Sequence, residues 1–153
     1  MSEFRADDIT WPSIETHDQV ASRRQELYDA MTDLERAVAR PSGAADWRIE
    51  IETALSHLEA ALSDHTSQVE AEDGLFTEIL DRAPHLHAAV ETLRDEHRSL
   101  ESACHRATSM SADWSTQMLR RRVNALLVRL TLHRQSGAEL LFDAFNVDIP
   151  AGD

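Results

Sequence analysis

The hydrophobic positions along this chain of 153 residues recur three and four residues apart, which is the period of an amphipathic α-helix. Glycine, proline and small polar residues separate four such segments, which predict helices over residues 14–39, 46–72, 84–109 and 114–145. Gly74 is predicted to cap the second helix, and the stretch "LFTEILDRAP" is predicted to be a short apolar turn. We therefore predict an all-α, up-down-up-down four-helix bundle over residues 14–147, with an N-terminal extension over 1–13 and a tail over 148–153.

Polar residues interrupt the apolar stripe of every predicted helix. His65, His97 and His133 interrupt helices two, three and four, and Arg24 interrupts helix one, with His17 two turns earlier. A helix rises ~1.5 Å per residue, so His65 lies roughly 10 Å from one end of the bundle, Arg24 ~15 Å and the other two histidines about 20 Å. The sequence thus predicts one polar layer that contains all four side chains.

A single histidine in an apolar stripe is usually a hydrogen-bonded core residue, but three at one depth favour a shared metal ion. Nearby carboxylates on the same helices add candidate ligands, with Glu72 as an alternative to Glu70. The predicted metal ligands are His65, Glu70, His97, Glu101, His133 and Glu139. The other histidines of helices two and three are expected to be solvated, and Cys104 is expected to be a small core residue.

Charge and composition exclude several functions. The chain carries 28 acidic and 15 basic side chains, a net charge of -13, which disfavours nucleic acid and anionic membranes and favours solubility or a basic partner. The N-terminal "MSEFRADDIT" is too polar for a signal peptide, and a single cysteine allows no disulfide within the chain, so a cytoplasmic protein is expected. The sequence contains no Gly-rich phosphate-binding loop and no Ser or Cys nucleophile with a recognisable local motif, so nothing in it indicates a hydrolase or a transferase.

Three stretches resemble the hemerythrin-like (HHE cation-binding) family, particularly its actinobacterial members. They are "DHTSQVEAEDGLFTEILDRAPHL", "VETLRDEHRSLESA" and "LTLHRQSGAELLFDAFNVDI". The resemblance covers about residues 46–149 and implies an up-down four-helix bundle that binds non-haem iron through histidines and carboxylates. It also implies that the protein binds or senses dioxygen or nitric oxide, or handles iron and peroxide.

The sequence departs from this family's ligand pattern at several positions. In helix one, Arg24 takes the place of a histidine ligand, and in helix two Val69 takes the place of a carboxylate four residues after His65. In helix three, Glu101 takes the place of a second histidine, and in helix four Ala138 takes the place of a carboxylate. Because a guanidinium beside a cation disfavours a second metal ion, an intact di-iron centre is not expected.

Two hypotheses follow from this ligand set. The first is a metal-binding module with a mononuclear or incomplete iron site that binds a diatomic ligand or peroxide. The second is a metal-free bundle in which Arg24 pairs with a carboxylate, the histidines hydrogen-bond around it, and the acidic surface recruits a regulatory partner. The three layered histidines favour the first hypothesis, and Arg24 favours the second.

Overall fold

The computed structural model describes residues 14–145, without the side chains of residues 14–21 and 23. The predicted N-terminal extension and C-terminal tail lie outside the described residues, as do the last two residues of the predicted bundle and the side chain of His17. Within residues 14–145 every regular element is a helix, so the predicted all-α class is confirmed. No helix in this part of the chain is long and apolar enough to span a membrane.

The five α-helices of residues 14–145 are α1 (Ile14–Ala39), α2 (Trp47–Val69), α3 (Leu75–Arg82), α4 (His87–Met110) and α5 (Thr116–Phe145). Four of them correspond in order to the predicted segments, and the short α3 lies between the second and the third of these. Short 3₁₀ helices, Pro84–Leu86 and Ser111–Asp113, precede α4 and α5. The four long helices pack in a closed cycle, because α1 contacts α2 and α5, and α4 contacts the same two helices.

The short helix α3 corrects the sequence prediction, which had a turn in its place. Leu75, Phe76 and Ile79 are all buried on one face of α3, and this face packs against α2 and α5. Arg82, in its last turn, donates from Nε to the Ala144 carbonyl at 3.0 Å. Two turns of helix therefore cover one end of the molecule and bury apolar side chains that a turn would leave in water.

Gly74 does not cap α2, contrary to the prediction. Helix α2 ends at Val69, and Gly74 instead begins α3 in an extended conformation, with φ -87° and ψ -175°. A Cβ atom at position 74 would lie 2.4 Å from the Gln68 carbonyl oxygen and 2.8 Å from that of Val69. Glycine is required here because these carbonyl oxygens leave no room for a Cβ atom. The φ angle is not in the left-handed region, so the requirement comes from this close approach and not from the backbone conformation.

The core is divided into two apolar clusters by a polar layer. On α2, Leu62 belongs to one cluster and Val69 to the other, and His65 lies between them. The same order holds for Leu100, His97 and Leu93 on α4. On α5 the layer follows the buried Leu130. The described core is therefore apolar above and below a single level at which three helices carry histidine.

Candidate metal centre

Three histidine side chains from three helices meet at this level. One ring nitrogen from each of His65, His97 and His133 lies within 4.8 Å of one from each of the other two. The ring centroids of His97 and His133 are 4.7 Å apart, and those of His65 and His97 are 5.5 Å apart. His97 is 1% exposed and His133 5%, while His65 is partly buried. The sequence prediction that these histidines share one depth is confirmed.

Two carboxylates contact the outer nitrogens of this cluster. The Nδ1 atom of His97 lies 3.3 Å from Oε1 of Glu70, and Nδ1 of His133 lies 2.7 Å from Oε2 of Glu96. When Nδ1–H donates to a carboxylate, the lone pair is on Nε2, which is the tautomer that a metal ligand needs. In that tautomer, His97 and His133 each have an Nε2 lone pair available for a metal ion.

Burial and neighbouring charge keep two of these rings neutral. Burial, followed by the charges of His133, Arg24 and Arg134, lowers the pKa of His65 to about 4. Burial, followed by the charges of the other two histidines, lowers the pKa of His97 to about 3. Both imidazoles are therefore deprotonated near pH 7, and neither must lose a proton before it binds a cation.

Arg24 of α1 is a charged residue whose guanidinium acts on the His65 ring. Its Nη2 atom is buried and has no hydrogen-bond partner among the described residues. Burial and the charge of Arg134 lower the pKa of Arg24. The guanidinium of Arg134 lies 4.6 Å above the ring of Tyr28, one helical turn beyond Arg24 on α1. The charges of Arg24 and Arg134 both lower the pKa of His65, so the polar layer includes positive charge close to this ring.

The three carboxylates predicted as ligands have different positions. Glu70 contacts Nδ1 of His97, and the pKa of Glu70 is raised, chiefly by burial. Glu101 is half-buried and close enough to raise the pKa of Glu70 further, whereas Glu139 is exposed. Among the described residues, the group that can hold a metal consists of the three histidines and includes none of these glutamates. Their role as ligands stays a prediction.

Two residues of the site were missed by sequence reasoning. Glu96 precedes His97 on α4, and this neighbour is turned by ~100° around the helix, towards α5 and His133. Phe76 of α3 stacks on the His97 ring, with centroids 5.7 Å apart and planes 11° from parallel. The "EH" pair was a visible signal for Glu96, but Phe76 had none, because its segment was predicted to be a turn.

The remaining histidines and the cysteine lie outside the site. The other four histidines among the described side chains are exposed, namely His57, His85, His87 and His105. The Cys104 thiol is fully buried, and burial raises its pKa to about 12, so it is an inert core group as predicted.

An open cleft leads from solvent to the histidine layer. It has a volume of about 420 Å³ and runs between α4 and α5. Glu96 lines it on the α4 side, and Arg129, Leu132 and His133 line it on the α5 side.

Comparison of the chain with models of known protein families, with curated proteins and with solved structures gave no match. The resemblance to hemerythrin-like proteins and its consequences for function therefore stay predictions. The geometry of the three histidines is the feature on which a functional proposal can rest.

Proposed function

We propose that this chain is a hemerythrin-like four-helix bundle in which His65, His97 and His133 bind one divalent transition-metal ion. Non-haem iron is the metal that the resemblance implies, and imidazole ligands suit iron and zinc alike. The three nitrogens leave a coordination position for a small ligand, and the resemblance extends the proposal to dioxygen, nitric oxide or peroxide at that position.

The convergence of three ring nitrogens in the core is the observation that carries this proposal. A metal bound tetrahedrally at 2.0–2.1 Å needs nitrogens about 3.4 Å apart, so each must move inward by less than about 1 Å. The Nδ1 atom of His65 is buried and has no hydrogen-bond partner in the part of the chain that the structure describes. A buried polar atom without a partner is costly, and rotation of the ring towards a shared metal ion removes part of that cost.

Carboxylates behind metal-ligating histidines are a recurring feature of protein metal sites, because they orient the ring and raise its basicity. Glu70 and Glu96 are in this position relative to His97 and His133. Since both carboxylates already contact rings, and since Arg24 adds positive charge nearby, the proposal is for one metal ion.

The metal-free alternative requires Arg24 to pair with a carboxylate. No described residue forms a hydrogen bond or ion pair with Arg24, and no carboxylate raises its pKa. The alternative therefore lacks its central contact among the described residues, and the metal site is the better account of the layer.

The test is metal content and affinity in protein purified without an affinity tag. Wild type should contain stoichiometric metal or take up Fe²⁺ or Zn²⁺ in competition with a chromophoric chelator. His97→Gln should lose at least about 100-fold in affinity, since it removes one of three ligands. The exposed His57→Gln is the matched control and should bind like wild type.

Far-UV circular dichroism distinguishes a lost ligand from a lost fold in these variants. If folded wild type takes up neither ion, or if folded H97Q and H57Q bind metal equally well, the three histidines are not a metal site.

A further inference from the structure

Helix α5 has a second stripe of regularly spaced residues, on the side away from the core. Its positions alternate three and four residues apart from Met118 to Phe142, which is the seven-residue period of a coiled-coil seam. Two residues along a helix turn by ~200°, so a stripe that contains Val128 and Leu132 faces away from the buried Leu130 between them. All the residues of this outer stripe are exposed, namely Met118, Arg121, Ala125, Val128, Leu132, Gln135, Glu139 and Phe142.

The outer stripe is rich in exposed apolar side chains. Six large hydrophobic side chains are exposed among the described residues, and four of them lie on this stripe. Val128 is 60% exposed and Leu132 57%, while Phe142 is 47% exposed and Met118 42%. Single exposed apolar residues are ordinary on a protein surface, but a set aligned at coiled-coil spacing indicates contact with another helix.

The outer stripe is symmetrical about Leu130. Val128 and Leu132 lie two residues on either side of it, and Met118 and Phe142 lie twelve residues on either side. Two antiparallel copies of α5, related by a two-fold axis at Leu130, therefore place Val128 opposite Leu132 of the second copy. The same axis places Met118 opposite Phe142. Apolar side chains then meet at the centre and at both ends of the contact, where their burial stabilises it.

The other positions of the outer stripe have the same symmetry. Arg121 and Glu139 lie nine residues on either side of Leu130, and the neutral Ala125 and Gln135 lie five. The antiparallel arrangement places Arg121 of each copy opposite Glu139 of the other, so the contact contains two pairs of opposite charge. A parallel arrangement in register would instead place Arg121 against Arg121 and Glu139 against Glu139. Charge complementarity therefore selects the antiparallel arrangement of two copies.

Helix α5 does not share the acidic excess of the rest of the chain. The whole chain has a net charge of -13, whereas α5 contains five arginines and two acidic residues. Contact through α5 keeps the strongly acidic remainder of each copy away from the interface. Repulsion between two copies therefore opposes this contact less than it would oppose a contact between acidic faces.

We propose that two copies of this chain form a dimer through the outer stripes of their α5 helices, packed antiparallel about a two-fold axis at Leu130. Such an interface uses the same surface on both copies, so assembly ends at two chains. The proposal is independent of the metal site, because His133 of α5 is buried in the core and is not part of the outer stripe.

The test is sedimentation equilibrium of the full chain at about 0.15 M salt. Wild type should form a dimer with twice the chain mass of 17.2 kDa and a Kd below about 100 μM. Leu132→Glu places carboxylates at the apolar centre of the contact and should weaken dimerisation by at least about 100-fold. Ile49→Glu is the matched control, because Ile49 is 65% exposed on α2, and this variant should dimerise like wild type.

An exchange of charges tests the antiparallel arrangement itself. Arg121→Glu places a glutamate opposite Glu139 in both pairs and should weaken dimerisation by about 10-fold or more. Adding Glu139→Arg to the same chain restores two pairs of opposite charge and the wild-type net charge. The double variant should therefore recover the wild-type Kd.

Far-UV circular dichroism should show that these variants keep the fold, because every changed residue is exposed. The proposal is overturned if folded wild type is a monomer at about 100 μM, or if its mass rises beyond that of two chains. It is also overturned if L132E dimerises as tightly as I49E, or if R121E dimerises like wild type. A double variant R121E/E139R that recovers none of the affinity lost in R121E would overturn the antiparallel pairing.

Discussion

Acidification should destabilise the metal-free protein through His65 and His97, whose pKa values burial lowers. The pKa of His65 is lowered to about 4 and that of His97 to about 3, from an ordinary value of 6.5. Because the unfolded chain takes up these protons first, the stability is fully present above pH 6.5 and is lost as the pH falls towards 4 and 3. Between pH 7.5 and 5.5 each histidine should cost about 1.4 kcal/mol, or about 3 kcal/mol together.

This loss is roughly a fifth to three fifths of the 5–15 kcal/mol that typically separates folded from unfolded states. Urea unfolding of chelator-treated protein, extrapolated to water at each pH, measures it. The pH range of this measurement stops at 5.5 because the isoelectric point is about 4.9. Near that pH the net charge is too small to oppose association of the protein.

The variant His65→Gln removes one of the two titrations. Its loss of unfolding free energy over this pH range should fall to roughly half that of wild type. His57→Gln, at an exposed position, should follow the wild-type profile. If H65Q and wild type lose the same free energy between pH 7.5 and 5.5, His65 is not held neutral by burial, and this account of the layer is wrong.

Three further perturbations test other parts of the structure. Gly74→Ala places a Cβ 2.4 Å from a backbone oxygen and should destabilise by about 1–3 kcal/mol in urea unfolding; Gly43→Ala, with open space around it, is the control, and equal effects would contradict the close approach. Glu96→Gln should weaken metal binding by about 10- to 100-fold in chelator competition, because it alters the carboxylate that orients His133; unchanged affinity would show that Glu96 is only a surface group. Arg24→His removes a repulsive charge and offers a further imidazole, so iron affinity should rise; no rise would argue that position 24 does not reach the ligand sphere.

Helical periodicity was sufficient to predict much of the fold. The predicted limits of the first helix agree with α1 (Ile14–Ala39), and the histidine layer follows from the rise per residue along three stripes. Both predictions depend on a pattern that is repeated along a whole segment and not on any single contact, so they could be made from the sequence alone.

The parts that were missed depend on single tertiary contacts. Helix α3 is only eight residues long, and its burial against α2 and α5 stabilises it, whereas its sequence resembles an apolar turn. Gly74 was assigned by residue type, but the close carbonyls of α2 determine its role. Glu96 of α4 contacts His133 of the neighbouring helix α5, and the spacing of residues within one helix does not reveal a pair that lies on two helices.

The most direct test of the central claim is X-ray absorption fine structure of the zinc-loaded protein. Zinc is a suitable probe because it has no redox chemistry and well-defined bond lengths. The account predicts three imidazole nitrogens at about 2.0–2.1 Å and one additional light donor, with one imidazole lost in His133→Gln. A shell dominated by carboxylate oxygens, or a spectrum that H133Q leaves unchanged, would contradict a metal ion bound by His65, His97 and His133.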